Sequence, residues 1–531
     1  MNLVNASWLP FRRVDGRQEL LPLSSIVDPS VVDFALPRAD FQGAAYQLVI
    51  GLLQTVFAPE TADDWHEAYD EPPTKGEMQL ALDRVTHAFN VTGDGPLFMQ
   101  DFDNLESAKS THVSGLLIEA PGENTLKKNT DHFIKRGLSE HVSLEIAVLA
   151  LFTLQINAPT GGQGHRTGLR GGGPLTTLIM PQSQESTLWQ KLWLNVIHRD
   201  KWRYDDPDLH SNLLFPWLAP TKTSEKKGSE TYATDVHPLH MFWAMPRRIR
   251  LIVEEKKAVC QLSGHISQQT VHMYRTKNYG YNYSGTWSHP LTPYRFNPKK
   301  PDEERLSGKG QQGGITYKTW DALTLQSESD GQIPALVVRT FSDIHGDFIT
   351  RQSEIPRLWV FGYDMDNMKA RGWYSVEMPL FAVSPEKQES LLHEVKLMQT
   401  LATDTLWQCR TQIKSAWFER PKEAKGDFSC IDLSFWQRTE SMFFQAVSQL
   451  AETASVKEPQ LAPEQAKAWL QKLRLTASDL FDEFVLTELH GDRAMAKKIK
   501  AKQMLTGWLY GGKSIKTFQQ ANNIEPFKEV V

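Results

Sequence analysis

Several segments of this chain carry residue types that do chemistry elsewhere, and each has to be weighed against its setting. Gly507-Trp-Leu-Tyr-Gly511-Gly512-Lys513-Ser514 satisfies the GxxxxGK[ST] phosphate-loop pattern. A working phosphate loop follows a strand and opens a helix, so that backbone N–H groups point at the phosphates. Here a helical pattern precedes the glycines, and a Gly C-cap is the better reading. Gly308-Lys-Gly310-Gln-Gln-Gly313 fits GxGxxG but follows Pro301-Asp-Glu-Glu-Arg rather than a strand, so it reads as a loop. His198-Arg199-Asp200 resembles a kinase catalytic loop without its Asn and without a DFG. His237 and His240, three apart, lack a third ligand and read as structural histidines. His345-Gly346-Asp347 reads as a turn, and neither GxSxG nor HExxH occurs. The three cysteines, Cys260, Cys409 and Cys430, lie far apart with no CxxC pair, which excludes a disulfide framework and supports no zinc site. Neither a catalytic constellation nor a cofactor is expected.

Three other segments suit binding. Ala158–Pro174 holds seven glycines in seventeen residues, together with Arg166, Arg170 and His165. With so little Cβ surface its backbone can lie against a ligand, and the basic residues distinguish it from a plain linker. Tyr274-Arg-Thr-Lys277-Asn-Tyr279-Gly-Tyr281-Asn-Tyr283 suggests a strand with an aromatic face flanked by cations. That pattern serves nucleic-acid contact and packing on a neighbouring strand equally well. Phe361–Trp373 follows an apolar strand and is dense in polar tips around Met368, as a surface hairpin would be.

The elements that position these segments divide the chain in two. Trp8–Arg13, Asp15-Gly16 and Gln18–Leu23 read as a β-hairpin, and Asp40 as the cap of a helix running to Phe57. Mixed texture continues to about residue 380, with strands at Ala335–Thr340 and Arg357–Gly362, a helix at Ser143–Ile156, and loops at 219–232 and 298–314. At Ser384-Pro385 a helix-start signal opens four apolar-periodic segments, 385–419, 434–453, 463–487 and 491–510. Residues such as Trp436, Met442, Phe443, Val447 and Leu450 recur at three- and four-residue spacing. The expected fold is therefore α+β: a mixed α/β N-terminal domain over 1–380 and a C-terminal four-helix bundle over 381–531.

Length and composition agree with that division. A chain of 531 residues exceeds what one core supports, and 23% charged with 40% hydrophobic residues is ordinary for a folded protein. MNLVNASWLPFRR lacks the long apolar stretch of a signal peptide, and no uncharged apolar run is long enough to span a bilayer, so the cytoplasm is expected. A formal net charge of −5 argues against a freestanding nucleic-acid binder coated in positive charge, yet permits one local basic track. Arg493, Lys497, Lys498, Lys500 and Lys502 crowd one such segment, whose nearby acids are Glu488 and Asp492. A DNA-backbone track and a solvated helix face suit it equally.

Taken in order, four blocks resemble the large subunit of the type I-E CRISPR complex Cascade, the CasA family. They are MNLVNASWLP, Leu116–Phe133 (LLIEAPGENTLKKNTDHF), TGLRGGGPLTT and GYDMDNMKARGWY, and the helical C-terminal third belongs with them. The resemblance implies a non-enzymatic subunit of an RNA-guided antiviral assembly. Such a subunit reads the protospacer-adjacent motif from the minor groove of double-stranded DNA, wedges the duplex open, holds the R-loop and recruits a helicase-nuclease. Implied partners are the crRNA 5′ handle and the backbone, handle-binding and small Cascade subunits, with no membrane and no metal. The family's glycine loop corresponds to Thr160, Gly161, Gly162, Gln163, Gly164 and His165; its lysine finger to Lys277; and its wedge to Asp366, Asn367 and Met368. A docking loop corresponds to Leu117–Arg136, with Leu117, Ile118, Glu119, Lys127 and Lys128 as its contacts. Relatives carry Gly where this chain has Gln163 and Gln where it has Asn367, so its preferred motif is expected to differ. The alternatives are a pure scaffold subunit that never touches DNA and a nucleotide-dependent enzyme built on Lys513.

Overall fold

A computed structural model describes residues 1–129, 137, 139–350, 355–454, 456–487 and 492–525. The chain forms two compact units: Met1–Gly310 with Ser329–Glu377, and Gln311–Glu328 with Met378–Val531.

Unit 1 opens with the expected hairpin. Strands β1 (Leu9–Arg13) and β2 (Gln18–Leu21) pair antiparallel with Leu9 opposite Leu21, and β3 (Val31–Phe34) joins the other side of β1. Helix α1 (Ala39–Val56) follows, and its N-cap is Arg38 rather than Asp40. Asp40 is the second helical residue, where its carboxylate binds Arg38 and also accepts the Phe41 N–H at 3.0 Å. Strands β4 (Ser110–His112) and β5 (Val142–Ser143) come next. Ser143 then caps helix α2 (Leu144–Asn157), accepting from the Ile146 N–H.

Strand β6 (Thr176–Met180) is buried along its whole length. Strands β7 (Arg248–Glu254) and β8 (Thr270–Lys277) pair antiparallel, and β8 also pairs with β4 and β5. A long hairpin closes the unit: β9 (Arg357–Asp366) and β10 (Lys369–Pro379), with β6 on the far side of β9. Phe361 on β9 lies so close to Gly43 of α1 that an added Cβ would stand 2.6 Å from its ring. The glycine is therefore what lets the helix lie flat on this sheet.

Two local expectations fail. Residues Leu336–Thr340 are helical, not a strand. Their short apolar run carries no period that separates the two states. His345-Gly346-Asp347 is not a turn either: Phe341–His345 forms a π-helical turn that continues into a helix over Gly346–Thr350. Gly346 holds a helical φ of −58°, and buried His345 stacks on Trp65 at 3.8 Å.

Unit 2 is a helical bundle. Helix α3 (Pro385–Trp417) starts where Ser384-Pro385 predicts, followed by α4 (Ser429–Ala454), α5 (Pro463–Phe481) and α6 (Asp492–Gly511). Buried positions recur every three or four residues, as in Phe435, Trp436, Thr439, Phe443, Val447 and Leu450 of α4. Residues 311–328 belong to this unit because Tyr317 is an anchor within it. Its ring stacks on Phe443 at 4.3 Å and its hydroxyl lies 2.7 Å from Thr439 Oγ1. A further helix, α7 (Lys513–Ala521), follows the segment read as a C-cap. Gly512 is not left-handed, with φ −62° and ψ 153°, so it joins two helices instead of ending the chain's helical run. Glycine is required there because a Cβ would stand 2.7 Å from the Trp508 carbonyl oxygen.

Candidate nucleic-acid interface

The glycine-rich segment enters directly from the C-terminus of α2. At its first end, Gly161 and His165 form a bridge that closes a tight loop, with φ +33° at Gly162 and +78° at Gly164. Gln163 at the tip is exposed. This loop is seated on the turn after β8. The Tyr279 N–H donates to Gly164 O at 2.7 Å, and Asn278 Nδ2 donates to Gln163 O at 2.6 Å. A Cβ on Gly164 would come within 2.8 Å of the Asn278 side chain. Glycine therefore permits the approach that joins the loop to Lys277, the last residue of β8, which is half-buried with Arg248 opposite it. The structure thus brings together Thr160–His165 and Lys277, two elements predicted separately.

The loop's own basic residues do not face outward as their composition suggests. Arg166 is tied to Ser224 through Nε to Oγ at 2.8 Å and Nη2 to the carbonyl at 2.6 Å, and it lies over the Tyr279 ring. Arg170 is buried, donating to Gln47, Thr176 and Thr292. Burial without a carboxylate partner pushes it down to about 10. Arg247, which no local sequence pattern singles out, packs under Gly161 and donates to the Pro159 carbonyl. Burial beside Arg247 lowers the His165 pKa below its ordinary value, so its ring is neutral at neutral pH. The positive groups of this segment are internal fasteners, whereas Lys277 is a half-buried cation at the end of β8, next to the turn that seats the loop.

The tyrosine series resolves toward packing. Tyr274 and Tyr281 are buried, and the Tyr283 hydroxyl accepts from the Met245 N–H at 2.9 Å and bonds His240 Nε2 at 2.9 Å. His240 is buried, its other nitrogen on Leu213 O, while His237 caps a 3-10 turn. Both are satisfied structural histidines. Tyr279 stands apart with φ +65° in the turn beside the glycine loop.

The segment's second end, Gly168–Pro174, packs beneath the β9–β10 hairpin. A Cβ on Gly173, at φ +60°, would stand 2.7 Å from Met365 Cγ and 2.9 Å from Tyr363 O. One on Gly362 would stand 2.7 Å from Pro174 O. Above this base the hairpin projects Asp366, Asn367, Met368 and Lys369, all exposed, with Met368 at 52%. Asn367 takes the left-handed conformation, φ +53°, that an asparagine tolerates in a tight turn. Arg371 binds buried Asp364 through two hydrogen bonds, at 3.1 and 2.7 Å, and so braces the two strands below the tip.

The docking-loop residues attach to the same sheet. Ile118 is buried, and Glu119 pairs with Arg38 Nη1 at 2.7 Å. Arg38 in turn pairs with Asp40, which accepts from the Tyr363 hydroxyl of β9 at 2.5 Å. Leu117 is half-buried, and Lys127, the last residue of a short helix at Glu123–Lys127, and Lys128 just after it are exposed. Residues 130–136 of this loop lie outside the described residues.

In unit 2 the basic segment of α6 is not one outward face. Lys498 is buried at 5% exposure, whereas Lys500 is exposed. Lys497 donates to Phe418 O and Glu419, and Lys502 to Ser478 and Asp482, so acids distant in sequence meet them. The Arg493 side chain and Glu488 lie outside the described residues. Residues Gly507–Gly511 are helical, which is the wrong geometry for a phosphate-cradling loop.

Among the described residues, no helix is long and apolar enough to cross a membrane. The family model for CRISPR-associated protein Cse1 matches residues 2–480. Among solved structures, Thermus thermophilus CasA (Cse1) is similar with a TM-score of 0.66 at 15% identity, over 96% of this chain and 99% of that one. Thermobifida fusca Cse1 is similar with a TM-score of 0.64 at 16% identity, over 99% and 98% of the two chains. A chain of a CRISPR RNA-guided surveillance complex matches with a TM-score of 0.63 at 14% identity, over 95% and 99%. At these identities the structures speak for the α+β fold, and the family model spans most of the chain. This chain is a member of the CRISPR-associated protein Cse1 family.

Proposed function

We propose that this chain is the non-catalytic large subunit of an RNA-guided CRISPR surveillance complex, and that it recognises a protospacer-adjacent motif and opens the duplex beside it. The observation that carries this reading is the glycine-rich segment. Its first end seats Gln163 beside the Lys277 turn, and its second end supports the Asp366-Asn367-Met368 tip. A reader and a wedge held by one seventeen-residue stretch keep a fixed relation to each other.

The chemistry suits a minor groove. That groove presents mainly the N3 and O2 acceptors, plus the guanine amino group. Lys277 supplies donors, and the amides of Gln163 and Asn367 both donate and accept. Met368 is the apolar member that enters a base step. Discrimination beyond the motif falls to guide pairing. Lys127 and Lys128 would meet the crRNA 5′ handle and its binding subunit; of the α6 lysines, Lys500, which is exposed, would be the one to meet displaced DNA.

The test is the triple replacement Asp366→Ala, Asn367→Gly, Met368→Ala in the assembled complex. Unstacking a step costs on the order of a few kcal/mol, so R-loop formation on paired DNA should slow by more than tenfold. A target already unpaired beside the motif should restore the rate. Equal defects on paired and pre-opened targets would remove the wedge role, and unchanged rates on both would favour a scaffold that does not touch DNA.

A further inference from the structure

One chain of hydrogen bonds in unit 1 joins the docking loop to the strand that carries the exposed hairpin tip. Arg38, the residue before α1, spends all three guanidinium nitrogens. Nε and Nη2 fork onto Asp40 at 2.9 and 2.8 Å, and Nη1 reaches Glu119 of the docking loop at 2.7 Å. Asp40 is buried and also accepts from the Tyr363 hydroxyl of β9 at 2.5 Å. Burial, and then the charge of Asp40, push the Tyr363 pKa well above its ordinary value, so the hydroxyl stays a donor. Tyr363 stands just below the tip: its ring packs on Trp373 of β10 at 4.8 Å, and its neighbour Asp364 holds Arg371 across the hairpin. Glu119 and Tyr363, far apart in sequence, are thus linked through two side chains.

We propose that Arg38 is a positioning residue that couples the seating of the docking loop to the setting of the Asp366-Asn367-Met368 tip. The proposal rests on the roles given above to loop and tip. Glu119 is then an inward latch and not an RNA contact: Arg38 holds its carboxylate, and a carboxylate has the wrong sign to face phosphate. The hub has to be a guanidinium. An ammonium is a single point, and it cannot grip one carboxylate with two nitrogens while a third reaches another. When the loop shifts, Arg38 loses Glu119, its fork on Asp40 loosens, and Tyr363 loses its fixed acceptor. In the other direction, a β9 without the Tyr363 hydroxyl leaves Asp40 and Arg38 less firmly placed, and Glu119 with them. Coupling between two sites is reciprocal, so each end feels a change at the other.

The experiment follows amide hydrogen exchange at both ends of this chain of bonds in the full-length protein. Glu119→Ala should speed exchange about threefold or more at residues 362–371 of the hairpin, as well as in its own loop. Tyr363→Phe should do the same at residues 117–122. Glu119→Gln keeps an acceptor for Arg38 and should do less. In an Arg38→Lys background, Glu119→Ala should add nothing at the hairpin, because the connection is already cut. Glu60→Ala breaks an ion pair with Arg199 elsewhere in unit 1 and should move neither end. In the assembled complex, Glu119→Ala should slow R-loop formation on paired DNA about threefold and leave a target already unpaired beside the motif unchanged. Exchange changes confined to the mutated element, or equal slowing on both targets, would overturn the coupling. The exchange readout needs neither DNA nor guide. A tip that proves idle in the triple replacement, with exchange still transmitted, would therefore sink the wedge reading and leave the coupling standing.

Discussion

The two units are stabilised by different means. Unit 2 is held by an apolar stripe repeated along its helices: Trp469, Leu473, Leu480, Phe435 and Phe443 are all fully buried. Unit 1 buries polar groups among its aromatics and uses glycines for close backbone approach. Gln155 bridges Met99 O and both backbone groups of Arg247, and Arg170 is satisfied by neutral oxygens alone. His240, His289 and His345 are buried as neutral rings. A stripe tolerates exchange of one apolar residue for another. A buried polar network tolerates little, because each lost partner leaves a group unsatisfied. The proposed DNA-reading elements sit on the less forgiving unit, whose groups are over-determined in position.

The largest expected effect is of acid. Burial holds the His240 pKa down at about 4, against an ordinary 6.5, and pushes His289 and His345 down as well. In each case the folded value lies below the unfolded one. The stability is therefore complete above pH 6.5 and is lost as pH falls toward 4. His240 alone accounts for about 3 kcal/mol, and burial of His289 and His345 acts in the same direction. Among the described residues, unit 2 has a single histidine, His393, and it is exposed. Between pH 6.5 and 4 the near-UV signal of unit 1 should be lost before the helical signal of the bundle. One coincident transition would erase the distinction.

The apolar unit has its own sensitive point. Trp469 is fully buried beside Tyr317 and Phe443. Trp469→Ala should cost unit 2 about 3–5 kcal/mol by denaturant titration, and Trp469→Phe markedly less. Gly173→Ala is the counterpart in unit 1. A Cβ there meets Met365 and the Tyr363 carbonyl at a left-handed φ. Strain and overpacking together should cost about 2–4 kcal/mol. Loss of duplex opening in a Gly173→Ala complex that still folds would tie the base of the hairpin to its tip.

What can be read in advance follows the same division. The bundle helices are local in origin: Ser384-Pro385 and the three- and four-residue apolar spacing place the starts of α3, α5 and α6 within one residue, whereas α4 begins five residues earlier than expected and α5 gives way at Asp482 to a π-helical turn. Helix α7 escapes such a reading because Gly511-Gly512 reads as a stop, and only the closeness of Trp508 explains why glycine stands there. In unit 1, composition locates the glycine-rich segment but misjudges its arginines. Whether Arg170 points in or out depends on Gln47, 123 residues away in sequence, and no local pattern carries that. The α6 lysines mislead for the same reason, since Glu419 and Asp482 meet them only in the folded bundle. Arg247 gives no local signal at all.

The smallest expected effect is also the sharpest test of the loop. Gln163 is exposed at the tip, its φ is not left-handed, and its side-chain amide makes only a long 3.5 Å approach to the Tyr279 hydroxyl among the described residues. The bond that fixes the loop runs from Asn278 to the backbone carbonyl of Gln163, which glycine keeps. Gln163→Gly should therefore change stability by only about 0.5–1 kcal/mol or less, mostly through the freedom glycine gains when unfolded. In the assembled complex the same change should redistribute affinity among motif sequences, because an amide that both donates and accepts has been withdrawn from a groove whose pattern is mainly acceptors. The measurement is binding of a panel of duplexes that differ only in the motif. Affinities that keep their rank order would show that Gln163 reads nothing, and motif discrimination would then rest on Lys277 and Asn367 alone.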